Sequence, residues 1–143
     1  MIVITFGTFD LFHIGHLNML NRCKQYGDKL IVGVSTDKLN YSKKNRYPII
    51  SQNNRIEIIK NIKVVDEVFF EESLELKEDY IKQYKADIFI IGDDWKSKFD
   101  NLNKFCKVIY LPRTKEVSTT DILKDIKKPI KDRLEDILKS LND

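Results

Sequence analysis

The chain has 143 residues and a mass of 16.9 kDa, so it is expected to form a single domain, 1–143. Hydrophobic residues make up 42% and charged residues 33% of the sequence, which excludes disordered, collagen-like and low-complexity chains. The 25 basic and 22 acidic residues are interspersed and give a net charge of only +3. This balance indicates no nucleic-acid partner and no membrane surface, although it allows a local basic pocket.

The cysteines and the apolar runs indicate the compartment. Cys23 and Cys106 lie far apart and have no partner at metal-ligand spacing, so we interpret them as reduced, partly buried thiols. No apolar run approaches the roughly 18 residues that a membrane helix needs, and no signal-peptide pattern follows Met1. The sequence therefore favours a cytoplasmic protein that is not inserted in a membrane.

The first half of the chain alternates apolar runs with amphipathic segments. Runs of β-branched and aliphatic residues predict buried strands, and apolar residues at helical spacing predict helices. In chain order we predict a strand at Ile2–Phe6, a helix through Leu17, Leu20 and Cys23 that ends at Gly27, a strand at Leu30–Val34, a long basic loop over 36–50, and a helix capped by Ser51.

The second half continues the alternation. We predict a third strand at Val64–Phe70, a helix at Ser73–Lys85, a fourth strand at Ile88–Ile91 and a fifth at Lys107–Leu111. A capping box at Ser118-Thr119-Thr120-Asp121 opens a helix that Pro129 is expected to break. The last predicted helix carries an apolar stripe of Ile130, Leu134, Ile137, Leu138 and Leu141.

Five strands that are apolar on both faces and alternate with helices predict an α/β fold. We expect a Rossmann-like, doubly wound five-stranded parallel sheet with helices on both faces, plus a C-terminal helix. Ligands bind to such sheets beyond the carboxyl ends of the strands. The candidate binding segments are therefore Gly7–His16, Ser35–Pro48, Gly92–Asp100 and Pro112–Thr120.

The segment after the first strand holds both histidines of the chain, His13 and His16, on either side of Gly15. A helix that begins here offers unpaired N–H groups and a partial positive charge, and a spacing of three places both imidazoles on one side of its first turn. Gly15 lets an anion approach the backbone. The arrangement predicts a triphosphate site that stabilises charge on the α-phosphorus through donors that can be charged at neutral pH. A simple helix cap and a partial zinc site are the alternatives.

His13-Ile14-Gly15-His16 is the HxGH signature of the nucleotidyltransferase superfamily, and it also spells the HIGH motif of class I aminoacyl-tRNA synthetases. A synthetase is excluded, because the chain has no KMSKS segment and no room for a tRNA-binding domain. Three further blocks closely resemble those of the bacterial glycerol-3-phosphate cytidylyltransferase family: Gly7-Thr8-Phe9-Asp10, Gly92-Asp93-Asp94-Trp95, and Arg113-Thr114 with Ser118-Thr119-Thr120. The resemblance covers a core of 1–126 and leaves 127–143 as a C-terminal helical extension.

The resemblance implies an enzyme that transfers CMP from CTP to glycerol 3-phosphate, giving CDP-glycerol and pyrophosphate for a cell-envelope polymer such as teichoic acid or capsule. CTP and glycerol 3-phosphate would be its small-molecule partners, Mg²⁺ would accompany CTP as the cofactor, and the chain would form a homodimer to which the extension contributes. Two alternatives stay open. One is a cytidylyltransferase or other nucleotidyltransferase for phosphoethanolamine, phosphocholine or a sugar-alcohol phosphate; the other is a non-catalytic nucleotide-binding module.

The resemblance also implies roles for individual residues. The catalytic residues would be His13, His16, Lys43 and Arg113. Nucleotide binding would involve His13, His16 and Arg113 again, with Thr8, Phe9, Ile14, Gly15, Arg46, Gly92, Asp94, Trp95, Thr114, Ser118, Thr119 and Thr120. Substrate binding would involve Lys43, Lys77, Arg55 and Asp10. No dedicated metal ligands are expected, and Asp10 is a weak candidate for contact with Mg²⁺. The family's second loop lysine is replaced by Asn45 or Arg46, and Lys115-Glu116-Val117 departs from the usual Glu-Gly-Ile.

Overall fold

The computed structural model describes residues 1–113 and 118–142. In chain order its strands and α-helices are β1 (Ile2–Gly7), α1 (Ile14–Lys24), β2 (Lys29–Ser35), α2 (Asp37–Lys44), α3 (Gln52–Lys60), β3 (Glu67–Glu71), α4 (Lys77–Gln83), β4 (Ile88–Gly92), β5 (Lys107–Leu111) and α5 (Thr119–Asn142). Short 3₁₀ turns occupy Leu74–Leu76, Asp93–Trp95 and Asp100–Lys104.

The strands of the described chain form one parallel sheet in the order β3-β2-β1-β4-β5. The chain starts at the centre, moves outward through β2 and β3, and then returns to add β4 and β5 on the other side of β1. This topology confirms the predicted doubly wound α/β fold. It also places the carboxyl ends of β1 and β4 side by side at the point where the strand order reverses, which is where such sheets bind ligands.

The core consists of two apolar clusters, one on each face of the sheet. Successive residues of β1 point to opposite faces, so Val3 packs in the cluster under α1 while Ile4 packs in the cluster under α4. β2 divides its side chains in the same way, with Leu30 in the first cluster and Ile31 in the second. Burial on both faces explains why the central strands read as continuous apolar runs instead of alternating patterns.

The predicted long loop over 36–50 is wrong, because α2 occupies Asp37–Lys44. The helix begins where the Thr36 hydroxyl accepts a hydrogen bond from Leu39 N at 3.1 Å, and it ends at Asn45, whose φ of 55° is left-handed. Leu39 is its one buried aliphatic residue. So short a helix with so few apolar residues gives almost no periodic signal, and the Thr36 cap was the available clue.

The predicted break at Pro129 is also wrong, because α5 continues through it. Proline removes one N–H donor and crowds the carbonyl of Asp125, four residues earlier. Both residues are exposed, so water can satisfy that carbonyl and the helix need not end. The predicted cap at Ser118 is present, since its hydroxyl accepts a hydrogen bond from Asp121 N at 3.1 Å.

Smaller differences concern element boundaries. The third strand is shifted to Glu67–Glu71, since Val64 and Val65 pack against the core before the strand begins. The helix predicted at Ser73–Lys85 starts as a 3₁₀ turn and is α-helical only over α4.

Cys23 is buried in α1 and Cys106 is partly buried before β5; both are free thiols, as predicted. Among the described residues, none of the helices combines the length and apolar character that crossing a lipid bilayer requires.

Gly33 in β2 gives a test of the packing on one face of the sheet. A Cβ at this position would lie 2.7 Å from ring atoms of both Phe6 and Phe69, whose rings pack edge to face at 5.8 Å. We expect Gly33→Ala to lower the free energy of unfolding by about 1–3 kcal/mol, measured by urea denaturation. Gly92→Ala is the control, because no atom lies within 4 Å of its added Cβ. Equal losses in the two variants would contradict this account.

Candidate active site

A cavity of about 530 Å³ lies beyond the ends of β1 and β4. Its volume falls in the range of roughly 300–1,000 Å³ that is usual for small-molecule sites. All four predicted binding segments contribute to it. The predicted residues that line it are Thr8, Phe9, Asp10, His13, Gly15, His16, Lys43, Arg46, Lys77, Gly92, Asp94, Trp95, Arg113, Ser118, Thr119 and Thr120. Thr114 lies outside the described residues.

The loop between β1 and α1 is held in an unusual conformation. Phe9 and Leu11 have left-handed backbones, with φ of 56° and 48°, which cost about 1–2 kcal/mol each for residues with a Cβ. Asp10 offsets this cost by accepting hydrogen bonds from the backbone N–H groups of Leu11, Ile49 and Ile50 at 2.8–3.1 Å. Its own carbonyl accepts from the Thr119 hydroxyl at 2.9 Å. Asp10 therefore joins three separate segments of the cavity wall.

The two histidines are stacked at the start of α1, with ring centroids 3.8 Å apart and planes inclined by 23°. His13 is the N-cap of the helix, and its Nδ1 accepts a hydrogen bond from Gly15 N at 3.0 Å. His16 returns the contact, because its Nδ1 accepts from His13 N at 3.2 Å. Both Nδ1 atoms act as acceptors, so the proton of each neutral ring is on Nε2. Each imidazole therefore has one N–H donor left for a ligand.

Burial and neighbouring cations keep both imidazoles uncharged at neutral pH. Burial lowers the pKa of His16 to about 4, and the nearby His13, Arg113 and Lys44 add to the effect. Burial, followed by the charge of Arg113, also lowers the pKa of His13. Before an anion binds, the pair consists of neutral donors, so its ability to become charged at neutral pH depends on a ligand.

Cationic side chains line the same cavity, among them Lys43, Lys44, Arg46 and Arg113. Lys44 was not among the predicted site residues, because a loop over 36–50 gave no reason to separate it from its neighbours. In the structure, the last turn of α2 brings both lysines to the cavity, and burial is the main cause that lowers the pKa of Lys44. Arg113 forms an ion pair with Asp94, which follows β4. The cavity is therefore electropositive on the side of the histidines.

A second group of charges lies at the end of β2 and β3. Lys77 and Glu71 form an ion pair in which both side chains are at least 97% buried, and the Lys77 ammonium lies 4.5 Å from the centre of the Phe6 ring. The Ser35 hydroxyl donates to Glu71 Oε1 at 3.2 Å and accepts from Lys43 Nζ at 3.4 Å. Burial lowers the pKa of Lys43 to about 8. Two ammonium groups thus lie near one carboxylate, to which Lys77 is paired directly and Lys43 is linked through the Ser35 hydroxyl, and this leaves an excess of positive charge.

Two predicted residues do not reach the cavity. Arg55 is fully buried and donates from Nη1 to the carbonyls of Thr8 and Ser35 at 2.8 Å, while Nη2 pairs with Asp37 at 2.7 Å. These contacts make it a positioning residue for the loops after β1 and β2, in place of the predicted substrate contact. Ile14 is 53% exposed, and it too is absent from the cavity lining.

Several residues that shape the cavity carried no motif signal. Arg22 of α1 donates to the carbonyl of Pro112 at 2.7 Å and so positions the backbone next to Arg113. Asn40 accepts from the Thr8 hydroxyl at 2.6 Å. Both residues line the cavity and act on its backbone or on another side chain. Such contacts join elements that are distant in sequence, so only the tertiary structure reveals them.

The fold and the site define an HxGH-type nucleotidyltransferase domain. Three features define this class: a cavity where the strand order of the sheet reverses, two stacked imidazoles at a helix N-terminus, and cationic side chains around them. The chain belongs to the cytidylyltransferase-like family, whose model matches residues 4–125.

Known proteins of similar sequence and structure agree with this assignment. The chain is 51% identical over 124 residues to the glycerol-3-phosphate cytidylyltransferase of Bacillus spizizenii and 47% identical over 124 residues to that of Bacillus subtilis strain 168. Each match covers 87% of this chain and 95% of the relative. The crystal structure of a lipopolysaccharide core biosynthesis protein from Thermoplasma volcanium is similar at a TM-score of 0.69 and 28% identity, covering 79% of this chain and 97% of that one.

The stacked histidines predict an unusual titration. In an NMR titration of the free protein, we expect a pKa of about 4 for His16 and the Nε2–H tautomer for both rings above that pH. His13→Ala should raise the pKa of His16, because the substitution opens the ring to water and removes a neighbouring positive charge. An ordinary pKa near 6.5 for His16 in the unmodified protein would contradict the described geometry.

Proposed function

We propose that this chain transfers CMP from CTP to glycerol 3-phosphate and releases pyrophosphate. The observation that carries the proposal is the stacked pair of His13 and His16, whose Nδ1 atoms are occupied by backbone donors, so that each ring offers Nε2–H in an electropositive cavity. Relatives that are about half identical and aligned over nearly their full length bear the name of this activity, which supports the choice of nucleotide and acceptor.

Two helix N-termini line the cavity, and both suit the phosphates of a nucleotide. α1 begins at the histidine pair, while α5 begins with the hydroxyls of Thr119 and Thr120 beside the segment that carries Arg113. The first N–H groups of a helix have no partner within it and carry partial positive charge, so they bind anionic oxygens. We assign the triphosphate to the space between these two ends. Gly92, Asp94 and Trp95, after β4, are assigned to the cytosine and ribose side of the same cavity.

The reaction needs no covalent intermediate on the protein. An anionic oxygen of the acceptor phosphate attacks the α-phosphorus of CTP and forms the new P–O bond, while the bond from that phosphorus to the bridging oxygen breaks. Pyrophosphate leaves with the electron pair, and no proton has to be removed from the nucleophile. Because the nucleophile is already ionised, the protein has to align the two phosphates and stabilise the charge that builds up between them.

The histidines provide this stabilisation as hydrogen-bond donors. Their Nε2–H groups are held in place by the α1 cap, so they need no reorientation when charge develops on the α-phosphate and on the leaving pyrophosphate. An approaching polyanion raises the pKa of both imidazoles, which strengthens these hydrogen bonds when the triphosphate is bound. Lys44 and Arg113 contribute fixed positive charge on the same side.

The acceptor phosphate is assigned to the group of charges around Glu71. Lys43 and Lys77 line the cavity here, and the single carboxylate between them leaves a net positive charge for a dianion. Glu71 holds the Lys77 ammonium in place through the buried ion pair, so its role is to position Lys77. This arrangement separates the acceptor end from the triphosphate end and favours an in-line approach.

The proposal includes Mg²⁺, brought to the site by the triphosphate as part of the substrate. Among the described residues, no three His, Cys, Asp or Glu side chains form a group that could hold a metal ion. The Asp10 carboxylate is occupied by three backbone N–H groups. Triphosphate oxygens are ordinary Mg²⁺ ligands. We further propose a cytoplasmic homodimer whose CDP-glycerol supplies a cell-envelope polymer.

A pyrophosphate-release assay tests the reaction. We expect turnover with CTP, Mg²⁺ and glycerol 3-phosphate together, and none when any of the three is left out. His16→Ala should reduce kcat by about 10²–10³-fold, because one of the preorganised donors is lost. Circular dichroism of the same variant checks that the fold is retained.

The same assay separates the alternatives through a panel of acceptors and nucleotides. Faster turnover with phosphoethanolamine, phosphocholine or a sugar-alcohol phosphate would transfer the proposal to that acceptor. Equal turnover with ATP would contradict the choice of nucleotide. Binding of CTP by calorimetry without turnover of any acceptor would show a nucleotide-binding module instead of an enzyme.

Lys43 gives the reaction a dependence on pH. Its pKa is lowered to about 8, so its ammonium is charged below that pH and neutral above it. If it binds the acceptor, the KM for glycerol 3-phosphate should rise above pH 8 by up to about tenfold per pH unit. Lys43→Arg should remove this rise, because arginine stays protonated throughout the range. The same rise in the arginine variant would show that another group causes it.

A further inference from the structure

The ammonium group of Lys77 has three partners in the interior of the protein. One is the Glu71 carboxylate, with which it forms the buried ion pair. The other two are aromatic rings, since Nζ lies 4.5 Å from the centre of the Phe6 ring and 5.1 Å from the centre of the Phe99 ring. Both distances are within the roughly 6 Å at which the negative face of a ring attracts a cation. Lys77 is only 3% exposed, so little water screens this attraction.

The Phe99 ring is held in place by two strands of the sheet. Phe99 lies between β4 and β5, and it is absent from the cavity lining. Its N–H donates to the hydroxyl of Tyr110 in β5 at 3.0 Å. Its ring packs edge to face against Phe89 of β4, with centroids 5.6 Å apart. The backbone and the ring of Phe99 are therefore both anchored behind the cavity wall.

The same ring also packs against Trp95, with centroids 5.5 Å apart and planes inclined by 38°. Trp95 lines the cavity on the side assigned to the cytosine and ribose, whereas Lys77 lines it at the end assigned to the acceptor phosphate. Phe99 thus contacts one residue from each end of the site without lining the cavity itself.

We propose that Phe99 is a positioning residue, whose ring face holds the Lys77 ammonium in place for the acceptor phosphate. This inference rests on the proposed function, which gives Lys77 its ligand. Burial lowers the pKa of Lys77, so the interior favours the neutral amine. The Glu71 carboxylate opposes this effect from one side, and the two ring faces oppose it from others. The rings therefore help to keep Lys77 charged and fixed in direction, as binding of a phosphate dianion requires.

The electrostatics of the ring can be changed while its shape is kept. Removal of Lys77 would leave Glu71 buried without its partner and endanger the fold, so the test alters Phe99 in the full-length chain. A trifluorinated phenylalanine at this position nearly keeps the size of the ring but withdraws the negative charge from its face. We expect the KM for glycerol 3-phosphate, and its Kd measured by calorimetry, to rise by about three- to tenfold. The kcat and the KM for CTP should stay within about twofold, because only binding of the acceptor is weakened. A monofluorinated residue should give an intermediate rise.

Phe89 provides the matched control. It is fully buried and packs against both Phe6 and Phe99. Within the described part of the chain, the rings that have a lysine ammonium over them are Phe6, Phe99, Phe105 and Trp95. A trifluorinated phenylalanine in place of Phe89 should therefore leave the KM for glycerol 3-phosphate within about twofold of its original value.

A conventional substitution separates the electrostatic role of the ring from its packing. Phe99→Leu also removes the ring contact with Trp95, so it should raise the KM for both CTP and glycerol 3-phosphate. It should also shift the fluorescence of Trp95, which is the only tryptophan of the chain. The fluorinated variants should keep that fluorescence and the circular dichroism of the unmodified protein.

Two results would overturn the inference: a change of less than about twofold with the trifluorinated residue in place of Phe99, or an equal rise with the same residue in place of Phe89. Either result in a chain that turns over glycerol 3-phosphate would contradict the role of Phe99 alone. If the unmodified chain bound glycerol 3-phosphate without turnover, the proposed reaction would be contradicted, and the Kd values would still test Phe99. Absence of both binding and turnover would contradict the proposed function and the inference together.

Discussion

The site depends on how the first turn of α1 satisfies its backbone donors. A helix N-terminus leaves N–H groups without partners, and here two of them, from His13 and Gly15, are satisfied by imidazole Nδ1 atoms in place of the usual hydroxyl or carboxylate. The same contacts fix the tautomer, because a nitrogen that accepts from the backbone cannot carry the proton. The helix-cap alternative raised by the sequence is therefore compatible with the proposed phosphate site, because the same contacts that cap the helix leave Nε2–H of each ring for a ligand.

Burial then determines how much charge the site holds before it binds an anion. His16 is kept neutral by burial and nearby cations, and burial also lowers the pKa values of Lys43 and Lys44. A bound polyanion favours the charged form of each of these groups and therefore raises its pKa. The Glu71 carboxylate, which is buried near Lys43, is already paired with Lys77. The cavity is thus poised to gain positive charge when a nucleotide and a phosphate enter, which suits reactants that are themselves strongly anionic.

The sequence was sufficient for the fold and for most of the cavity lining, because both depend on local patterns. Apolar runs such as Leu30–Val34 mark buried strands, and polar motifs directly after them mark the ligand edge. The sequence was insufficient where contacts between distant residues determine the position of a side chain. Arg55 was assigned to substrate binding by resemblance, yet four hydrogen-bond acceptors around its guanidinium hold it away from the cavity lining. Lys44 was not assigned because α2 has too few apolar residues for its sequence to predict a helix. The predicted break at Pro129 was wrong because an exposed helix tolerates the backbone carbonyl that the proline leaves unpaired.

One helix connects the cavity with an exposed apolar surface. The first turn of α5 contributes Thr119 and Thr120 to the cavity, and the Thr119 hydroxyl bonds to the carbonyl of Asp10, within the loop that precedes the histidines. The rest of the same helix carries a row of exposed apolar side chains: Ile126, Ile130, Leu134, Ile137, Leu138 and Leu141. A helix that is stabilised along its length also frays less at its start, because each further hydrogen-bonded turn favours the preceding one. The order of the rest of α5 is therefore linked to the contact between Thr119 and Asp10, and through it to the loop that leads to the first turn of α1.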